Sequence, residues 1–292
     1  MNLKVVSNGE LVSKEEWDNQ VDGLRKKVKV SVRDLVVAKE KIKKCLFNWE
    51  FPDEKFAILF SGGIDSMLIA FLAKMQKKDF VCYSFGVEGG RDLEWSHKAE
   101  DMFNIKFIDY SLVEFEKSLI ETIKIINEED AIKVSVGSVF YPALEQIKKD
   151  GLRLVYGGLG SEEIFAGYDR HSEAKDINEE CWNGMYTIFE RDFTRDVNLG
   201  KHFGLKLGLP FLNTDLVKEA MSIDASLKIK DGYKKYILRV AAEELGVPKE
   251  FCWRKKKAAQ YGSKANNAFM RIAKRNGFKT RKEFVKSIIC SG

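Results

Sequence analysis

Six consecutive residues, Ser61-Gly62-Gly63-Ile64-Asp65-Ser66, carry the groups that hold an anion. They follow an apolar run, Phe56 to Phe60. They lead into Ile64, Met67, Leu68, Phe71, Leu72 and Met75, which share one face at helical spacing. The pattern predicts a buried strand, a tight glycine turn and a helix N-terminus. Free backbone N–H groups and the positive end of the helix dipole then point at whatever lies over the turn, and Ser61 and Ser66 add hydroxyl donors. Phosphate is the expected anion. A carboxylate such as Asp65 in a first helical turn ordinarily only offsets the dipole. Beside a polyphosphate it would be repelled unless a divalent cation lay between them, so the loop predicts Mg2+ on oxygen ligands. Neither G-x-x-x-x-G-K-S/T nor G-x-G-x-x-G is present in this loop, which sets it apart from Walker-type and Rossmann turns.

A second turn repeats the arrangement. Leu152 to Tyr156 runs into Gly157-Gly158-Leu159-Gly160-Ser161-Glu162-Glu163, again strand, glycines and acidic residues opening a helix. Read alone, Glu162 and Glu163 would face solvent at a helix N-terminus. Recurrence at the same predicted sheet edge lets Asp65 and Glu162 serve as paired metal ligands.

The elements that must position these turns alternate. Strands are expected at 56–60, 80–87, 105–109 and 152–156, and helices at 64–76, 92–103, 114–127 and 138–149. Such alternation predicts an α/β fold, an open parallel sheet with helices on both faces, whose ligands bind beyond the carboxyl ends of the strands. After Gly167 the pattern turns mostly helical, around 177–192, 213–223 and 233–245, and ends in a basic tail. Before Phe51, Asn8-Gly9 between apolar residues predicts a type I′ hairpin, Ser13 and Glu16 a capping box, and 32–49 an amphipathic segment. The chain therefore divides into a lead-in (1–50), a core that carries both glycine turns (51–170) and a mostly helical region ending in the basic tail (171–292).

Composition excludes little. With 45% hydrophobic and 32% charged residues the chain reads as an ordinary globular protein, and a formal charge of +5 fits a polyanionic ligand without requiring nucleic acid. Five scattered cysteines with no C-x-x-C pair suggest reduced thiols and a cytoplasmic setting. Neither an apolar leader nor an 18-residue apolar run occurs, so no membrane association is expected. His97, His171 and His202 lack ligand spacing, and only His171 is placed to approach a nucleotide. From Lys264 to Lys286 eight basic residues face one acidic one, with Phe269, Phe278 and Phe284 between them. A solvated face with its aromatics anchored in the core is the ordinary reading; a tRNA-binding arm is the other.

Ser-Gly-Gly-x-Asp-Ser followed by Gly-x-Gly-Ser-Glu-Glu-x-Phe-x-Gly-Tyr resembles the synthetase domain of class B asparagine synthetases and their beta-lactam synthetase relatives, within the ATP pyrophosphatase superfamily. Phe80 to Gly90 with Asp92-Leu93 is similar to that family's second strand, whose backbone contacts adenine, with Phe85 at the matching position. Arg191-Asp192 and Arg195-Asp196 precede Pro210-Phe211-Leu212-Asn213, similar to Pro-Phe-Leu-Asp. Gly232 to Arg239 resembles Gly-x-x-Lys-x-x-Leu-Arg, and Trp253-Arg254-Lys255-Lys256 resembles Trp-Arg-x-Lys. Ala166 to His171 and Lys256 to Ser263 are similar to stand-alone asparagine synthetase domain-containing proteins. NAD synthetases share Ser-Gly-Gly-Ile-Asp-Ser but not the later blocks.

The resemblance implies an adenine nucleotide alpha hydrolase-like fold and an AMP- and pyrophosphate-forming ligase that uses ATP and Mg2+. It implies a nucleotide site at Leu59, Ser61, Gly62, Gly63, Asp65, Ser66, Phe85, Gly157 and Gly158, metal ligands Asp65 and Glu162, and catalytic Lys235 and Lys256. Lys255 and Lys257 are neighbours that could take the place of Lys256. A small-molecule acceptor, in all expectation a carboxylate, would be adenylated and then passed to ammonia or an amine.

Departures fall on the acceptor side. Leu159 stands where the family has a glutamate implicated in amide formation, and leucine can neither accept a proton nor orient ammonia. Lys206, Gly208 and Asn213 replace Glu, Arg and Asp. Asn2 stands where a glutaminase nucleophile would be a cysteine, so nitrogen is expected from free ammonia, another amine or a separate glutaminase. A tRNA-modifying adenylating enzyme and a nucleotide-binding protein with little catalysis are the alternative readings.

Overall fold

The computed structural model describes residues 2–256 and 258–291. Its centre is a five-stranded, all-parallel sheet: β3 (Phe56–Leu59), β4 (Phe80–Val87), β5 (Ile105–Tyr110), β6 (Leu154–Tyr156) and β7 (Lys206–Gly208), after the short hairpin strands β1 (Val6–Ser7) and β2 (Glu10–Leu11). The strand order is β5-β4-β3-β6-β7. The chain leaves β3 toward β4 and β5, then crosses back to place β6 on the other side of β3. That reversal opens a crevice at the carboxyl ends of β3 and β6, where both glycine turns lie.

Both sheet faces are covered. Phe56, Ile58, Cys82 and Phe60 join one apolar cluster with the helix Ile64–Met75, and Ala57, Val81, Tyr83, Phe85 and Val155 join another with the helices Leu112–Ile126 and Ala131–Lys149. Alternation along β3 and β4 thus sends successive side chains into opposite layers.

The four expected strands and their helices are present, with shifted ends. The helix expected at 92–103 is Arg91–His97, because residues after it pass into turns; that expected at 138–149 begins at Ala131, capped by Asp130, whose carboxylate accepts from the Ile132 and Lys133 N–H groups. β7 was not expected. Three residues at a sheet edge carry too little alternation to register as a strand. The helical run 177–192 ends at Ile188 and passes into a π-helical turn, Phe189–Phe193.

Asn8 and Gly9, at φ +53° and +84°, form the expected hairpin turn. Ser13 caps the helix Lys14–Arg25 by accepting from the Glu16 N–H, but Glu16 does not return the bond, so the capping box is only half made. Trp17 on that helix is fully buried, stands edge-on to Phe193 at 4.8 Å and donates its indole N–H to the Met185 carbonyl at 2.7 Å. The helix Leu35–Phe47 packs on Tyr236–Leu245. The lead-in therefore completes the core of the helical second half.

The basic tail forms the helices Ala265–Arg275 and Arg281–Ser291. Phe269 and Phe284 are buried, Arg271 pairs with Glu88 and Arg275 with Glu116. The ordinary reading of this tail holds: its aromatics anchor to the core and offer no exposed stacking platform. All five cysteines are unpaired, and among the described residues no helix is long and apolar enough to cross a membrane.

Trp17→Ala should remove a buried indole and leave the Met185 carbonyl without its donor, costing about 3–5 kcal/mol in urea unfolding. An unchanged midpoint would show that the lead-in does not stabilise the core.

Candidate functional site

At the first turn Gly62 has φ +61°, and the helix Ile64–Met75 begins at once, so its first N–H groups have no partners within the helix. Ser66 is used to shape the loop. Its hydroxyl accepts from the Ser61 N–H at 3.2 Å and donates to the Gly63 carbonyl at 3.1 Å, and the Ser61 hydroxyl lies 3.3 Å from it, within hydrogen-bond reach.

The second turn touches the first. A Cβ on Gly158 would lie 2.8 Å from the Asp65 Cβ, so only glycine lets the two corners close on each other. Ser161 donates its hydroxyl to Asp65 Oδ1. Gly157 is engaged elsewhere, its N–H bonding the Gly208 carbonyl at the end of β7, and its neighbour across the crevice is Leu59. Phe85 turns its ring into the core against Tyr110, ring centroids 5.6 Å apart, leaving only its strand backbone to meet a ligand.

Lys235 joins the turns. Its ammonium lies 2.8 Å from Asp65 Oδ2 and 2.8 Å from Glu162 Oε1, and 3.0 Å from the Ser161 hydroxyl. It precedes the helix Tyr236–Leu245 with a left-handed backbone, φ +56° and ψ +33°, a conformation costing a lysine about 1 kcal/mol. Gly167 makes room for the arrangement: a Cβ there would fall 1.7 Å from Glu162 Oε2 and 2.4 Å from the Lys235 Cε. Burial opposes both charges, yet the ion pairs outweigh it. The Asp65 carboxyl is held below its usual range and the Lys235 ammonium above its own.

Lys256 also reaches the first turn. Its Cδ lies 2.6 Å from where a Gly63 Cβ would stand, and its ammonium is 3.7 Å from Asp92 Oδ2. Lys255 points away, over the Tyr233 ring at 5.0 Å, while Lys257 lies outside the described residues.

Two side chains depart from expectation. His171 is fully buried and takes the Tyr168 N–H on Nδ1, so it faces the interior and not a nucleotide; burial, with Arg170 adding to it, brings its pKa down to about 4. Glu163 is also fully buried, bonded to Arg191 at 2.5 Å, and burial pushes its carboxyl up to about 7 against the pull of that arginine. Arg191 bonds Asp192, which bonds Arg195 at 2.9 Å. The Arg-Asp pairs of the sequence thus brace the second turn from behind.

Asp65, Glu162, Lys235, Lys256, Ser61, Gly63 and Gly158 therefore converge at one sheet edge. Two oxygen-donor carboxylates already share a cation, the Lys235 ammonium, and this donor set suits Mg2+. Among the described residues no three acidic, cysteine or histidine side chains would hold a metal by themselves, so phosphate or water oxygens would complete its shell.

The asparagine synthase family profile matches residues 51–182 and 172–281. The chain belongs to that family. It is 29% identical over 269 residues to a Methanocaldococcus jannaschii protein assigned as asparagine synthetase (glutamine-hydrolyzing) 1, with 78% of this chain and 49% of that protein covered. Against asparagine synthetase (glutamine-hydrolyzing) 3 of Arabidopsis thaliana it is 24% identical over 245 residues, covering 76% and 42%. The asparagine synthase-family chain thus spans about half the length of these relatives. The NMN synthetase from Francisella tularensis overlays 86% of this chain and 92% of its own at 15% identity, with a TM-score of 0.43.

Lys235→Met should cost about 2 kcal/mol of stability. The folded Asp65 pKa is lowered, so its contribution is complete above the ordinary carboxylate value and lost as pH falls; the Lys235 pKa is raised, so its contribution is lost as pH rises past the ordinary lysine value. The gap between wild type and variant should be flat from roughly pH 4 to pH 10 and narrow outside that window. Denaturant titrations at several pH values check this; a gap that keeps widening with acid would contradict it.

Proposed function

We propose that this chain is an ATP-dependent ligase. An oxygen of an acceptor, a small carboxylate, attacks the α phosphorus of ATP, pyrophosphate leaves, and ammonia or an amine then displaces AMP. The observation that carries this reading is the meeting of Asp65 and Glu162 on one cation position beside the Ser61–Gly63 turn. A bound Mg2+ would neutralise charge building on pyrophosphate. Asp65 and Glu162 would hold that metal, with Lys235 released onto a phosphate oxygen. The first-turn N–H groups and Ser61 would orient the polyphosphate, and Lys256 would stand over the attacked centre or the leaving group. Positioning and charge stabilisation are then the chain's own contribution to rate.

The family membership supports the amidation class of reaction. The acceptor and the nitrogen source are carried by less. Lys256 and Arg254 near the turn favour an anionic acceptor, and apolar Leu159 favours an amine that arrives already unprotonated, because no carboxylate stands at that position to take its proton.

Exchange of labelled pyrophosphate into ATP, run across a panel of small carboxylic acids with Mg2+, tests the reading. At least one acid should support exchange, AMP should be the nucleotide product once ammonia is added, and Asp65→Asn should lower the exchange rate on the order of 100-fold. ADP as the product, or exchange indifferent to Asp65→Asn, would overturn it.

A further inference from the structure

We propose that Asp92 is a positioning residue that holds Lys256 on the phosphate turn through a clamp made with Arg254; the proposal rests on reading that turn as a polyphosphate site. Asp92 opens the helix Arg91–His97, where a carboxylate would ordinarily do no more than offset the helix dipole. It is instead only 3% exposed and serves two cations from the far end of the chain. Arg254 Nη2 donates to Asp92 Oδ1 at 2.7 Å, and the Lys256 ammonium lies 3.7 Å from Asp92 Oδ2.

The same guanidinium reaches the turn itself, Arg254 Nη1 donating to the Ser61 carbonyl at 2.6 Å. Arg239 fixes the segment from behind with bonds to the Cys252 and Arg254 carbonyls. Further along, Ser263 takes the Val87 N–H on its carbonyl, and Gly262 lies so close to Asp92 that a Cβ would stand 2.5 Å from both carboxylate oxygens. Residues 252–256 and 258–263 form a strap pinned at both ends, with Glu243 accepting the Trp253 indole N–H and Asp92 holding Arg254 and Lys256.

An arginine bound to a buried carboxylate makes a strong, directional contact, whereas a lysine 3.7 Å away is held mainly by charge. Asp92 therefore fixes the backbone through Arg254 and biases the Lys256 ammonium toward the turn while leaving it able to move onto a phosphate. With Asp92 neutral, Arg254 keeps the Ser61 carbonyl and the Trp95 ring face but loses its ionic partner, and the strap loosens.

Limited trypsin digestion of the full chain without nucleotide tests the clamp. Asp92→Asn should speed cleavage after Lys255 and Lys256 by about tenfold while sites elsewhere keep their rates. Gly262→Ala, which crowds the carboxylate without removing its charge, should do the same and serves if Asp92→Asn does not fold. Wild-type cleavage rates in both variants would overturn the clamp.

Titration with Mg·ATP and with AMP then tests positioning. Asp92→Asn should weaken Mg·ATP about tenfold and AMP by less than about twofold, and should add less than about threefold once Lys256→Met is present. Equal losses for both nucleotides, or an undiminished effect in the Lys256→Met background, would reduce Asp92 to a structural role. Failure of the wild-type chain to bind Mg·ATP would overturn the polyphosphate reading itself, with the digestion still deciding the clamp.

Discussion

Two carboxylates that share one ammonium hold this site together. Asp65 comes from the first glycine turn, Glu162 from the second, and Lys235 reaches both from the helical second half of the chain. Bringing two like charges this close needs a cation between them, since mutual repulsion and lost hydration would otherwise drive them apart or neutralise one. The protein supplies an ammonium with three donors, all of them occupied by Asp65, Glu162 and Ser161. An ammonium is a mobile charge on a flexible stem, so it can hold the carboxylates in place and yield to a harder cation. Gly158 and Gly167 are the steric side of the same constraint, because any side chain at either would occupy the space that Asp65, Glu162 and Lys235 fill.

Around this centre the fold spends polar residues on support. Behind the second turn, Glu163, Arg191, Asp192 and Arg195 form a chain of charged bonds running into the helix Thr194–Phe203. On the opposite side, Arg239 and Arg254 bind carbonyls and so pin chain segments to each other and to the first turn. Such groups must be satisfied once buried, and each bond they make restricts the backbone it touches. The result is a pair of turns whose positions are set by neighbours on every side, which is the condition for preorganised charge stabilisation.

Much of this was legible in the sequence. Runs of apolar residues ending in glycine marked β3 and β6, and the periodic face from Ile64 to Met75 marked the helix that follows β3, because each signal is local. The convergence of Asp65 with Glu162 followed from the parallel topology those elements impose. Other features were hidden for physical reasons. β7 owes its existence to pairing with β6, a long-range contact that three residues cannot announce. Lys235 was expected only as a catalytic residue implied by the resemblance, and its seat between two carboxylates depends on a left-handed backbone that the residue type does not suggest. His171 was placed near a nucleotide by proximity in sequence, but the short helix Asp169–Glu173 turns it inward. Asp92 entered the sequence reading only within the block similar to the family's second strand, because its partners lie about 160 positions away.

The claim that the two glycine turns serve a single cation can be measured directly by Mn2+ electron paramagnetic resonance with a non-hydrolysable ATP analogue. Wild-type protein should bind one Mn2+ per chain with the nucleotide, Asp65→Asn and Glu162→Gln should each weaken it by about 10- to 100-fold, and the double variant should be little worse than either single one. A Glu162→Gln protein that binds Mn2+ and nucleotide as tightly as wild type would contradict the account.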